Sequence, residues 1–363
     1  MNGIGLYLHI PFCRRKCPYC DFFSAADSSR MEEYTRTLEQ RIRAAGESLQ
    51  RPADTLYFGG GTPSLLGEER LYRLAAAARE SFGLSDAEVT VEVNPEKQDI
   101  DFERLQKGGF NRLSIGLQSA DDRELQLLGR LHDVRAAERC IERAKQAGFE
   151  NFSLDLMIAT PGQTADSLMR SIDFCAAHGA KHISAYLLKI EPHTPYAQIR
   201  EQLRLPDDDG QAELYELACQ RLEAHGYRQY EISNFSLPGY ESRHNLKYWH
   251  DEEYLGLGPS AHSFLDGRRF YCERSFDAFF QDRTVEDGEG GSPEEFLMLG
   301  LRLREGVTNA RYRERFHEDI PAVYREAAER FNGTGLLHAD GNGIRLTTKG
   351  FLVSNSLIAH IIG

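Results

Sequence analysis

The chain has 363 residues, 41% of them hydrophobic and 27% charged, an ordinary globular composition that excludes disorder as the main state and, by length, predicts two domains. Lys and Arg number 43 against 56 Asp and Glu, and the resulting charge of −13 argues against a general binder of nucleic acid or anionic membranes. No apolar run approaches the roughly 18 residues needed to span a bilayer, and the N-terminus lacks the basic and apolar regions of a signal peptide, so a soluble, cytoplasmic protein is expected.

Over the first 235 residues, short β-rich runs alternate with helical patterns. Strands are expected at 5–10, 55–58, 89–93, 112–117, 152–158, 182–188 and, with the weakest pattern, 227–232. Helices fall near 30–45, 68–82, 102–107, 135–147, 165–178 and 209–225, several stopping at a glycine such as Gly148 or Gly226. This alternation predicts an α/β fold with a parallel sheet or barrel. Polar and glycine signals cluster at the C-terminal ends of the strands, the edge where a β/α barrel places its chemistry.

From residue 236 the texture changes. Residues 236–267 are rich in Tyr, His, Gly and Pro with little periodicity, and 286–293 reads as a flexible acidic linker. Helical patterns follow at 294–303, 310–316 and 322–331, then a hairpin over 336–346 and a final helix from 349. The expected division is 1–235, 236–292 and 293–363. Helices followed by a hairpin have the order of a winged helix. Yet the tail from Glu294 carries nine Lys/Arg and nine Asp/Glu, and a DNA-reading module should be distinctly basic. A lid or docking module is expected, with no nucleic acid as partner.

Seven cysteines are present, three of them crowded into Cys13, Cys17 and Cys20; Cys140, Cys175 and Cys219 fall in helical patterns as packing residues and Cys272 carries no reading, so this is no disulfide framework. The C-x3-C-x2-C spacing directly follows a predicted strand. Thiolates are soft ligands that suit zinc or iron–sulfur centres, and Arg14, Arg15 and Lys16 should favour the thiolate form. Structural zinc wants four ligands. Three cysteines on one loop, with no fourth Cys or His closely following, suit a four-iron cluster with one iron left open. Gly59, Gly60 and Gly61 come straight after the second strand, where glycine lets the backbone approach a ligand and expose N–H groups. Glu92, Gln118 and Asp155 are polar residues within or ending apolar strands, and each needs a partner if buried. Arg130 offers a fork for a carboxylate.

The cysteine spacing, with an aromatic residue before the third cysteine, resembles the radical S-adenosylmethionine (SAM) superfamily. There the open iron chelates the methionine end of SAM, and reductive cleavage yields a 5′-deoxyadenosyl radical. Leu8-His9-Ile10-Pro11-Phe12-Cys13, the Gly59-Gly60-Gly61-Thr62-Pro63 loop, the run 112–118 and Gly256-Leu257-Gly258-Pro259-Ser260-Ala261-His262-Ser263 occur in order along most of the chain. Together they resemble the oxygen-independent coproporphyrinogen III oxidase-like group. The resemblance implies a partial (β/α)6-type radical SAM barrel with a C-terminal, mostly helical, winged-helix-like domain. It implies a [4Fe-4S] cluster on Cys13, Cys17 and Cys20, with Tyr7, Gly60 and Glu92 lining the cluster-bound SAM and Tyr19 beside the cluster. Gly61, Thr62, Gln118, Arg130 and Asp155 match positions that contact a second SAM in the oxidase.

Two features divide that group. The oxidases carry a fourth cysteine two positions after the third, where this chain has Phe22. His244-Asn245-Leu246-Lys247-Tyr248-Trp249 matches H-N-x-x-Y-W and is similar to the haem-chaperone (HemW-type) branch. That likeness implies haem as cargo, a haem site at His244, Tyr248 and Trp249, acceptor apo-haemoproteins as partners and an electron donor for the cluster. His250 and His262 lie close in sequence and compete as iron ligands. The alternative is a coproporphyrinogen III dehydrogenase that decarboxylates two propionates by radical chemistry.

Overall fold

The apolar runs bounded by glycine and acidic residues become six parallel strands, β1 (Ile4–Ile10), β2 (Ala53–Gly60), β3 (Glu88–Val93), β4 (Arg112–Gln118), β5 (Phe152–Ile158) and β6 (His182–Leu187). Their side chains are buried almost without alternation, as in a parallel sheet covered by helices. The structure is a computed structural model and describes residues 3–96 and 100–363; Met1 and Asn2, where the leader reading begins, lie outside the described residues. The connecting helices are α1 (Met31–Leu49), α2 (Glu68–Phe82), α3 (Phe102–Lys107), α4 (Asp122–Leu127), α5 (Val134–Gln146) and α6 (Ala165–Ala177). Asp101, Asp121 and Asp133 cap α3, α4 and α5 by accepting free backbone N–H groups, and Thr164 forms a capping box with Ser167 on α6.

Both edges of the parallel array are extended. At one, β7 (Arg228–Gln229) and β8 (Asn234–Ser236) form an antiparallel pair, with β8 against β6. The continuous strand expected at 227–232 is therefore broken: the chain turns at Glu231, whose carboxylate accepts the Ser233 N–H at 3.0 Å. At the other edge, β9 (Tyr254–Leu257) runs parallel to β1, followed by antiparallel β10 (His262–Leu265), β11 (Arg268–Cys272) and β12 (Thr284–Glu289). The result is one open twelve-stranded sheet in the order β12-β11-β10-β9-β1-β2-β3-β4-β5-β6-β8-β7.

The flexible acidic linker expected at 286–293 is not one. Its first half is β12, paired to β11 from Arg268 opposite Glu289 to Cys272 opposite Thr284, with Arg268 Nη1 donating to Glu286 Oε1 at 3.1 Å. An edge strand can carry charge because it faces solvent, and that charge discourages pairing with another chain.

The tail contains helices Pro293–Gly300, Asn309–Phe316 and Ala322–Glu329 and a small sheet of β13 (Val307–Thr308), β14 (Leu337–Asp340) and β15 (Gly343–Leu346), ordered β13-β15-β14. The expected hairpin is β14–β15; the expected final helix is two, Thr348–Leu352 and Ser354–Ile362, divided at Val353. Leu297, Tyr312 and Ile358 of the tail belong to the same contiguous buried cluster as Leu8 and Leu154 of the sheet. Among the described residues no helix is long and apolar enough to cross a membrane.

Candidate functional site

A cavity of about 750 Å³ opens at the C-terminal edge of β1–β6. It is lined by Cys13, Cys17, Cys20, Tyr7, Tyr19, Gly60, Gly61, Thr62, Glu92, Gln118, Arg130 and Asp155, so residues scattered over half the chain meet in one place. A second recess, about 790 Å³, is lined by residues between Arg200 and Gln211 and holds none of the motif residues.

The cysteine loop leaves β1 and is tied back by the Cys13 N–H to Ala25 O, 2.9 Å, and the Cys20 N–H to Cys17 O, 3.1 Å. The glycine loop lies against it: Gly61 N–H donates to Ile10 O at 2.9 Å and Thr62 N–H to Phe12 O at 2.7 Å, while Gly60 N–H donates to Glu92 Oε2 at 3.2 Å. A Cβ on Gly61 would stand 2.6 Å from Phe12 O. The glycines therefore allow two backbones to touch, and the expected N–H groups open to a ligand are spent inside the protein. Thr62 Oγ1 donates to Cys13 Sγ and Arg130 Nη1 to Cys17 Sγ, each at 3.7 Å.

The basic triplet does not do what the sequence predicts. Burial raises the Cys13 thiol, against the hydrogen bond from Thr62, and burial raises Cys20, where Lys16 is the weakest opposing influence. Arg14 pairs instead with Glu96 at 3.7 Å, and Arg15 donates to Gly129 O at 2.6 Å. Metal binding, which releases thiol protons, would have to supply the thiolates. Among the described residues no three His, Cys, Asp or Glu side chains converge on one point as a single zinc ion requires. The three thiols share one recess, as suits a cluster in which each thiolate meets a different iron, so the donor set fits a four-iron cluster.

Around them runs a polar network. Tyr57 donates to Glu92 Oε1 at 2.9 Å, and desolvation together with the nearby Asp155 charge pushes the Glu92 carboxyl up to about 7. Asp155 accepts from Ser114 at 3.0 Å and Ser153 at 3.3 Å; burial raises it, and these hydroxyls pull it back. Arg130 Nη2 donates to Asn94 Oδ1 at 2.6 Å and Gly116 O at 2.9 Å, and Asn94 in turn donates to Thr62 Oγ1 at 2.8 Å. Tyr7 and His9 share a hydrogen bond of 3.0 Å at the end of β1. Gln118 ends β4 in the left-handed region, φ 69°, a strained conformation of the kind that concentrates at ligand sites. Tyr19 packs near Tyr196, ring centres 6.2 Å apart.

The H-N-x-x-Y-W run is the helix Arg243–Trp249, capped by Ser242. Its first N–H groups are held by Glu88, from Arg243 N at 3.1 Å and His244 N at 3.1 Å. His244 is 1% exposed, shares hydrogen bonds with Thr55 Oγ1 at 2.8 Å and Tyr248 Oη at 2.7 Å, and stacks on Tyr57 with ring centres 5.1 Å apart. Burial lowers its pKa to about 3. Trp249 lies under Arg302 of the tail, 5.9 Å away. Of this run, Asn245 is the residue that lines the cavity.

Sequence reasoning missed several lining residues. Arg112 on β4 is 2% exposed and lines the cavity, with no hydrogen-bond partner for its Nε among the described residues. Burial opposes its charge, and Glu88 leads the neighbours that outweigh this. An arginine opening a largely buried strand was the available signal. Asn94, Ser260 and Arg274 also line the cavity, as does His262, already a competing iron ligand on sequence grounds; β9–β11 bring Ser260, His262 and Arg274 there.

Residues 7–175 match the radical SAM superfamily and residues 292–353 the HemN C-terminal domain. The chain is 37% identical to the Bacillus subtilis heme chaperone HemW, with 98% of each covered, and 37% identical to the Escherichia coli heme chaperone HemW, with 85% of each covered. It is 33% identical to the mouse mitochondrial radical S-adenosyl methionine domain-containing protein 1, over 99% of this chain and 87% of that one. The solved E. coli coproporphyrinogen III oxidase HemN superposes with a TM-score of 0.83 at 22% identity, covering 99% of this chain and 90% of that one, a likeness of fold. With near-complete coverage at this identity, the chain belongs to the HemW heme-chaperone family within the radical SAM superfamily.

Proposed function

We propose that the protein is a haem chaperone: it binds haem, carries a [4Fe-4S] cluster and SAM in the sheet cavity, and passes haem to acceptor apo-haemoproteins in the cytoplasm. The observation that carries this reading against an oxidase is Phe22. It lines the cavity 65% exposed, at the position where the oxidases of the wider group have a fourth cysteine, while the three cluster thiols are kept. The names borne by near full-length relatives support the same choice.

In this reading Cys13, Cys17 and Cys20 hold the cluster, and Tyr7, Gly60 and Glu92 flank the SAM bound to it. Gly61, Thr62, Gln118, Arg130 and Asp155 form the wall that receives a second SAM in the oxidase. Held there and reduced by a donor, the cluster would supply one-electron chemistry to SAM. The chain's own work is positional. Tyr57 and the Gly60 N–H hold the Glu92 carboxylate, ready to accept hydrogen bonds from ligand hydroxyl or amino groups. Arg130 braces the cysteine loop, β4 and Asn94 in one fork.

The test is haem titration of anaerobically reconstituted protein, followed by incubation with coproporphyrinogen III, SAM and a reductant. Stoichiometric haem binding without a decarboxylated product is expected. Protoporphyrinogen formation would assign the protein to the oxidases, and failure to bind haem would refute the chaperone.

A further inference from the structure

We infer that the haem iron is ligated by His262, at the mouth of the cysteine cavity, and not from the His244 helix; this rests on the haem-binding reading above. An axial ligand needs one imidazole nitrogen free of competing partners and open to the porphyrin face. His9, His182 and His244 have both ring nitrogens in hydrogen bonds. His132 is buried, His178 is held by Phe174 O and Glu138, His225 by Asp173, and His250 lies between Glu252 and Glu305. Of the remaining five, His193, His262, His317, His338 and His360, His262 alone lines the cavity among the described residues. Its imidazole is exposed and stacks on Tyr271, ring centres 5.0 Å apart at 27°, and its ring nitrogens have no hydrogen-bond partner among the described residues.

The surroundings suit this cargo. A porphyrin is a flat apolar body with carboxylate edges. Eight large hydrophobic side chains are exposed among the described residues, and three of them, Phe22, Leu131 and Tyr186, line this one cavity. Such concentration of exposed apolar surface marks a binding face. Lys16 on the same lining is exposed and has no ion-pair partner among the described residues, a cation available to a propionate. Ligation from His244 would instead require breaking its bond to Tyr248 and opening a buried stack.

The experiment titrates ferric haem into the full-length, cluster-reconstituted protein and into His262→Ala, His262→Gln and His244→Ala, reading the Soret band and the electron paramagnetic resonance signature of histidine ligation. Circular dichroism checks each fold. His262→Ala and His262→Gln should lose the signature and bind haem more weakly by at least the roughly 10- to 100-fold that an outer-shell loss costs a metal site. Added imidazole should restore the signature to His262→Ala. His262 variants that keep the wild-type spectrum and affinity overturn the inference. Wild-type protein that takes up no haem at all brings down the chaperone reading, and this assignment with it.

Discussion

Tyr57 donates its phenolic hydrogen to Glu92 Oε1 at 2.9 Å, joining the strand that carries the glycine loop to the carboxylate near the end of the next strand. Desolvation and Asp155 hold that carboxyl near 7 in the folded protein, against 4.5 ordinarily. Between these values the folded chain keeps a proton that the unfolded chain releases, so this group makes stability fall as pH rises across the window. Glu92→Gln removes the titration. The difference in Tm, wild type minus Glu92→Gln, should decrease from pH 5 to about pH 7 and level off above it in ligand-free protein; a difference that stays flat throughout would show Glu92 ionised throughout.

Arg130 serves three partners with one fork, Cys17 Sγ, Asn94 Oδ1 and Gly116 O. Lysine keeps the charge and loses the geometry. Arg130→Lys should fold normally and bind SAM about 10- to 100-fold more weakly, the equivalent of about 1.5–3 kcal/mol for a charged hydrogen bond. Equilibrium dialysis on reconstituted protein measures this, and an unchanged Kd would remove Arg130 from the site.

Cys17 sits on a loop outside the main cluster of core side chains. Cys17→Ala should abolish iron and sulfide retention while leaving the far-UV spectrum and the unfolding transition nearly unchanged. Global unfolding of that variant would mean that the thiol loop is part of the fold's foundation.

Lys247, in the middle of the H-N-x-x-Y-W run, is 4% exposed and binds Gly3 O at 2.8 Å, Asp54 at 2.9 Å and Glu252 at 3.0 Å. Removing one partner of a buried ion pair costs about 3–5 kcal/mol, and the half-exposed carboxylates here place the loss at or below the lower figure. Lys247→Ala should destabilise the protein by about 3 kcal/mol in urea unfolding. A loss under about 0.5 kcal/mol, usual for a surface change, would make this lysine incidental.

The six parallel strands were legible because each is a short, mostly apolar and β-rich run lying between helical patterns, a purely local pattern. So was the cysteine triad, whose chemistry lies in its spacing. Elements defined by their neighbours were not legible. Tyr254–Leu257 becomes a strand because β1 has an open edge, and the acidic 284–289 because β11 has one. Arg112 reads as any strand arginine until Glu88 and the cavity are brought beside it. His244 was legible as part of a motif, but its bonds to Thr55 and Tyr248 exist in space, and they decide whether its nitrogens are available.

Synthesis on the ribosome runs in one direction, and the insertion of β9 beside β1 gives that direction a consequence. The cysteine loop emerges early, directly behind β1, whereas the strand that covers β1's free edge, with Ser260, His262 and Arg274 behind it, follows only after β2–β8. Until β9 is made, the nascent chain carries an unpaired strand edge next to the three thiols, a combination open to aggregation and oxidation. The cavity wall around the thiols is therefore complete only once β9 is in place, and a chain truncated ahead of Tyr254 leaves the thiols on an unfinished wall.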